Sequence, residues 1–188
     1  MEPSLFSGQV HRPLAARMRP ERLEDVVGQQ HLLAPGRPLG DAIRNGTVGS
    51  VILTGPPGTG KTTIAHLIGR YTKQKVIVIN AVTAGIPRLR EIVDEAQERA
   101  RAEGRGTLVV VDELHRWART QQDALLPHVE RGTIALCGAT TEPPAFAVVG
   151  ALLSRCRVYA LRPLTADDIR EVCERALEDT DRGLGNRK

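Results

Sequence analysis

The sequence predicts an α/β fold, a doubly wound parallel sheet of five strands. Three observations carry that expectation. Five short apolar runs recur along the chain, amphipathic helical stretches separate them, and the runs are nearly continuous rather than alternating. A strand buried on both faces needs apolar residues on both, as in a parallel sheet covered by helices. Strands alternating with helices are the pattern of crossover units.

The first run is Val51-Ile52-Leu53-Thr54, and Thr63-Ile64-Ala65-His66-Leu67-Ile68 continues as helix after a glycine-rich loop. The second run spans 75–79. Helix 86–103 follows, with Leu89, Ile92, Val93, Ala96 and Ala100 forming one stripe at helical spacing. Gly104-Arg105-Gly106 stops it. The third run is 107–111. A helix is expected from Thr120, where Thr120-Gln121-Gln122-Asp123 resembles a capping box, with Pro127 ending or kinking it. Strand 133–137, a short apolar helix from Val148 to Leu153, and strand 157–161 complete the sheet. Thr165-Ala166-Asp167-Asp168 caps a last helix through about Asp179, and a polar, glycine-rich stretch (181–188) follows.

Composition narrows the class. The 188 residues suit one α/β domain with a fragment of a second. Aromatics are only 3% of a chain that is 41% hydrophobic, so aliphatic side chains must fill the core. No apolar run reaches membrane-span length, and the amino terminus lacks a signal-peptide pattern. Cys137, Cys156 and Cys173 show no metal-ligand spacing, and a reduced, cytoplasmic chain is the expectation. The net charge of +4 fits a nucleic-acid partner or an ordinary solvated surface. Arg88 with Arg90, and Arg116 with Arg119, are basic pairs expected near the carboxyl ends of strands.

Gly55-Pro56-Pro57-Gly58-Thr59-Gly60-Lys61-Thr62 is a complete phosphate loop between a strand and a helix. Glycines let backbone N–H groups curl around phosphates, Lys61 reaches the β- and γ-phosphates, and the Thr62 hydroxyl is left for Mg²⁺. The helix N-terminus after it adds a positive dipole. A nucleoside triphosphate is the expected ligand; the alternative is a turn that binds nothing. The run 107–111 ends in Asp112-Glu113, the Walker B arrangement. Asp112 would hold Mg²⁺, mostly through water, and Glu113 would polarise the attacking water as general base. Gly138-Ala139-Thr140-Thr141 follows the fourth run, where Thr141 would hold that water if its strand neighbours the loop strand; a plain turn is the alternative. Asn80, ending the second strand, is a turn residue or an idle-state partner of Glu113. Arg155 is a solvent-facing charge or a group that stabilises transition-state charge in a neighbouring subunit.

These residues resemble those of AAA+ ATPases, and more closely the replication-associated recombination protein A family, related to the Werner-helicase-interacting protein. The resemblance runs over 13–185. It rests on Pro13-Leu14-Ala15-Ala16-Arg17-Met18-Arg19-Pro20, Val27-Gly28-Gln29-Gln30-His31, the phosphate loop, Asp112-Glu113-Leu114-His115-Arg116, Gln121-Gln122-Asp123-Ala124-Leu125-Leu126-Pro127-His128, Gly138-Ala139-Thr140-Thr141-Glu142 and Ser154-Arg155-Cys156. It implies an AAA+ P-loop NTPase core over 21–162 after an N-terminal segment 1–20, with the start of a helical lid over 163–188. It implies that Val26, Val27 and Gly28 lie beside adenine, with Thr63 next to the loop in the ATP site. Thr141 takes the sensor-1 position, and Arg155 is an arginine finger acting in trans. It further implies ATP with Mg²⁺, homo-oligomers, work on single-stranded or forked DNA at stalled replication forks, and association with single-stranded-DNA-binding protein. The chain departs from the family after Glu142, where Pro143-Pro144-Ala145-Phe146-Ala147 replaces a polar stretch, and at Trp117-Ala118-Arg119-Thr120. The family's remaining lid and C-terminal oligomerisation domain do not follow Lys188, so core and one lid helix are expected here. A nucleotide-binding module with little turnover, or a clamp-loader or Holliday-junction-type motor subunit, are the competing functions.

Overall fold

The computed structural model describes residues 13–186; the first part of the expected N-terminal segment (1–12) and residues 187–188 lie outside the described residues. In chain order the elements are α1 (Leu14–Arg17), α2 (Gln30–Leu33), α3 (Pro38–Arg44), β1 (Val51–Thr54), α4 (Lys61–Tyr71), β2 (Lys75–Asn80), α5 (Ile86–Glu103) and β3 (Thr107–Asp112). They continue with α6 (Arg119–Asp123), α7 (Leu126–Glu130), β4 (Ala135–Thr140), α8 (Pro144–Ala147), α9 (Gly150–Leu153), β5 (Arg157–Ala160) and α10 (Ala166–Glu178). Single 3-10 turns lie at Leu23–Asp25 and Leu114–Arg116.

All strand pairs are parallel, in the order β2-β3-β4-β1-β5. Successive strand residues point to opposite faces, and two cores result. Val109, Val111 and Leu136 meet Leu89, Ile92, Val93 and Ala96 of α5 on one face. Leu108, Val110, Val51 and Leu53 meet Ile64, Leu67 and Ile68 of α4, with Leu39 and Ile43 of α3, on the other. The doubly wound expectation therefore holds, and the stripe of α5 is the buried face down to Ala96; Ala100 is exposed. Gly104, at φ 61°, caps that helix in the left-handed region. Among the described residues no helix is long and apolar enough to cross a membrane.

Three local expectations are corrected. Strand β4 begins two residues later than 133 and runs on through Gly138 to Thr140. Gly138 reads as a turn residue but is there for space. A Cβ at 138 would lie 2.6 Å from Leu114 Cδ2 and 2.7 Å from Ile52 Cδ1. The helix expected at Thr120 starts at Arg119, with the Gln121 side chain accepting from the Ala118 N–H at 2.9 Å. It also breaks before Pro127, which sits in the first turn of α7, where a missing N–H costs nothing. The apolar helix expected from Val148 to Leu153 is shorter, α9, with α8 preceding it.

Candidate nucleotide-binding and hydrolysis site

The loop between β1 and α4 owes its path to its glycines: Gly55, Gly58 and Gly60 have φ of 148°, 76° and 94°. Gly55 is also confined, since a Cβ there would lie 2.6 Å from the Leu161 carbonyl oxygen. Pro56 and Pro57 are exposed, and the Thr59 hydroxyl donates to the Pro56 carbonyl at 2.9 Å. Lys61, the first residue of α4, is buried, and its ammonium donates to the carbonyls of Gly55 and Pro56 at 2.8 Å each. Burial pushes its pKa down; the negative charges of Asp112 and Glu113 oppose that shift. Thr62 and Thr63 follow on the first turn, both half-buried.

The strand order brings the remaining groups to the same edge. Strand β4 lies between β1 and β3, so Thr54 pairs with Thr140, and the ends of all three strands converge beside the loop. Asp112 ends β3 and accepts from the Glu113 N–H at 3.2 Å. Glu113 has φ 56° and ψ 42°, a left-handed conformation unusual for a non-glycine residue, and this swings the chain into the 3-10 turn. Its carboxylate meets His115 Nε2 at 3.2 Å. Asn80 does not reach Glu113; its side-chain oxygen accepts from the Val82 N–H at 2.8 Å, an ordinary turn contact. The two threonines after Ala139 split. Thr140 is fully buried, with its hydroxyl 3.1 Å from His115 Nδ1, whereas Thr141 lies one residue beyond the strand and is exposed.

A cavity of about 740 Å³ opens beside the loop. Val26 and Val27 line it from the amino-terminal segment, Gly58, Thr59, Gly60 and Thr63 from the loop, and Leu164, Val172, Arg175 and Arg182 from the carboxyl-terminal part. Gly28 is not on its wall. At φ 69°, and with Leu164 Cδ2 only 2.7 Å from where a Cβ would stand, it shapes the wall from behind. A residue given no role at the sequence level proves central here. Gln29, at φ 59° and 5% exposed, donates to the carbonyls of Arg162 (2.7 Å) and Thr59 (3.3 Å) and accepts from the Arg162 N–H (3.0 Å). It thereby ties the phosphate loop to the segment after β5. Its position in Val27-Gly28-Gln29 was the only signal, and glutamine there reads as surface.

The carboxyl-terminal part is built from its own caps. Thr165 and Asp168 form a reciprocal capping box at α10 (2.8 and 3.1 Å). Arg175 donates to the Asp25 carbonyl at 2.8 Å. Asp179 accepts from the backbone of Arg182, Asp181 and Gly183, bonds that hold its carboxyl below the usual carboxylate range.

Arg155 stands elsewhere. Its guanidinium donates to the Ala151 carbonyl (2.9 Å) and the Ser154 hydroxyl (2.8 Å) and pairs with Glu130. It precedes β5, whose first residue Arg157 pairs with Val51, whereas the loop leaves the other end of β1 after Thr54. The phosphate loop and Arg155 therefore lie at opposite ends of the paired strands β1 and β5 within one chain.

With the geometry described, comparison with known proteins adds four findings. The profile of the ATPase family associated with various cellular activities (AAA) matches residues 51–164. The chain is 53% identical over 180 residues to the Escherichia coli (strain K12) replication-associated recombination protein A, covering 96% of this chain and 40% of that protein. It is 38% identical over 175 residues to ATPase WRNIP1 of Dictyostelium discoideum, covering 93% of this chain and 20% of that one. Among solved structures, the Thermotoga maritima RuvB Holliday junction branch migration motor superposes with a TM-score of 0.64 at 26% identity, over 86% of this chain and 54% of that chain. The chain thus spans well under half the length of these curated relatives. A parallel sheet in this order, a phosphate loop facing an Asp-Glu pair, and these likenesses agree: the chain belongs to the AAA ATPase family, in its replication-associated recombination protein A branch.

Proposed function

We propose that this chain is the ATP-hydrolysing core of a homo-oligomeric cytoplasmic machine that works on single-stranded or forked DNA at stalled replication forks. The observation that carries the proposal is the convergence of Lys61, Asp112 and Glu113 on one sheet edge beside the 740 Å³ cavity. In this reading adenine lies against Val26 and Val27, with Gly28 behind them. The phosphates lie along Gly55–Thr63, where Lys61 exchanges its carbonyl partners for phosphate oxygens. The Thr62 hydroxyl and Asp112 carboxylate are hard oxygen donors, few in number, and so fit Mg²⁺. Held there, Mg²⁺ would supply positive charge to offset that of the phosphate oxygens. Glu113 takes the proton of the attacking water, Thr141 holds that water, and Arg155 of a neighbouring copy completes the site. Residues 21–162 form the core, and 163–188 begin the lid; from that stretch Leu164, Val172, Arg175 and Arg182 line the cavity. A single-stranded-DNA-binding protein is a partner proposed from the family alone.

The test is phosphate release from ATP, with and without single-stranded or forked DNA. Wild type should release phosphate faster with DNA, and Glu113→Gln should be slower by about a hundredfold or more while still binding nucleotide. One observation favours a second reading, a nucleotide-binding module with little turnover: Arg155 cannot reach its own chain's loop. Background release from both proteins, with nucleotide binding intact, would establish that second reading.

A further inference from the structure

His115 has contacts that neither the fold nor nucleotide binding requires. Its Nε2 lies 3.2 Å from Glu113 Oε2 and 3.8 Å from Glu142 Oε1, and its Nδ1 lies 3.1 Å from Thr140 Oγ1. Ionised carboxylates only accept hydrogen bonds, so Nε2 is the nitrogen that carries a proton toward them. The Thr140 hydroxyl then donates to Nδ1 while accepting from the Glu142 N–H at 3.0 Å, so every group has a partner of the right kind.

The two sides of the Glu113 contact differ in freedom. The His115 side chain is 9% exposed and the Glu113 side chain 36%. The ring rides on the Leu114–Arg116 turn, which is anchored by the fully buried Leu114, and is tied through Thr140 to the end of β4. It cannot rotate without losing one bond or the other. Glu113, on a flexible side chain, is the mobile partner, and a fixed N–H donor removes much of that freedom.

We propose that His115 is a positioning residue, whose fixed Nε2–H aims the carboxylate of Glu113 at the reacting water. This rests on the reading of Glu113 as general base, and extends the logic by which a base is itself oriented by a third group. The competing explanation is a histidine that merely fills space and satisfies its own hydrogen bonds.

Steady-state ATP hydrolysis by the whole chain in the presence of DNA separates the two. His115→Ala should lower kcat by about ten- to a hundredfold, with KM for ATP and affinity for ADP unchanged. His115→Gln, whose amide keeps an N–H donor, should recover much of the loss. Wild-type or raised kcat in His115→Ala would overturn the proposal. So would equal losses in both variants accompanied by weakened ADP binding, the sign of a damaged fold. The contact is also readable without turnover. In ¹⁵N spectra of the histidine rings, His115 should be protonated at Nε2, and its signal should move in Glu113→Gln while those of His66 and His128 stay. A His115 signal indifferent to Glu113→Gln would sink the proposal. A wild-type chain without phosphate release would instead count against the role of Glu113.

Discussion

At the scale of the residue, Lys61 shows how one side chain can be held ready for a ligand. Its ammonium rests on two loop carbonyls, a buried position that lowers its pKa, while Asp112 and Glu113 keep the charged form favoured. A phosphate offers that ammonium full negative charges in place of two neutral oxygens, and charge-assisted bonds are roughly twice as strong. Lys61→Ala should therefore weaken ATP binding by about a hundredfold in an equilibrium titration; unchanged affinity would remove the loop from the nucleotide site. Lysine and loop were legible because the motif is defined by residue types at fixed spacing. The left-handed backbone of Glu113 was not, because nothing in a Val-Asp-Glu-Leu run signals a positive φ. Nor was the division of labour between neighbouring threonines, since only the end of β4 decides which hydroxyl is buried.

Among the elements, α6 and the short helices after β4 are joined by one amide. Gln122 is 3% exposed; its Nε2 donates to the carbonyls of Trp117 (3.1 Å) and Ala147 (3.0 Å), and its Oε1 accepts from the Val149 N–H (2.9 Å). Gln122→Ala would strand buried backbone groups, each costing about 1–3 kcal/mol. The variant should lose about 2–4 kcal/mol in denaturant unfolding; a midpoint within error of wild type would show that water replaces the amide. Helices with a strong period or a clear cap, α5 and α10, were legible to within a residue. The bracing role of Gln122 was not, because a polar side chain serving as a buried brace looks like surface in sequence. Strand β4 was ended too early because Gly138, needed for clearance against Leu114 and Ile52, carries the local signature of a turn.

On the scale of the whole molecule, the sheet separates the phosphate loop from Arg155 by the length of its strands. If Arg155 is to act at a phosphate loop, that loop must belong to a second copy. Arg155→Ala should lower turnover but leave ATP binding nearly intact. Mixed with Glu113→Gln, it should regain part of the activity, since each variant supplies what the other lacks. A mixture no more active than its components would count against action in trans. Engagement is not costly to prepare: the Arg155–Glu130 pair is largely exposed, and such pairs contribute about 0–1 kcal/mol.

The hydrogen bond from Arg175 to the Asp25 carbonyl joins positions 150 residues apart, and the cavity lies between the segments it joins. A nucleotide filling that space would act as a removable cross-link, closing a circuit that runs through the entire sheet. Binding and folding then share one equilibrium. Ligand at a hundred times its Kd adds about 2.7 kcal/mol to the folded state. Local opening of α10 would in turn release the nucleotide without disturbing a single residue of the phosphate loop.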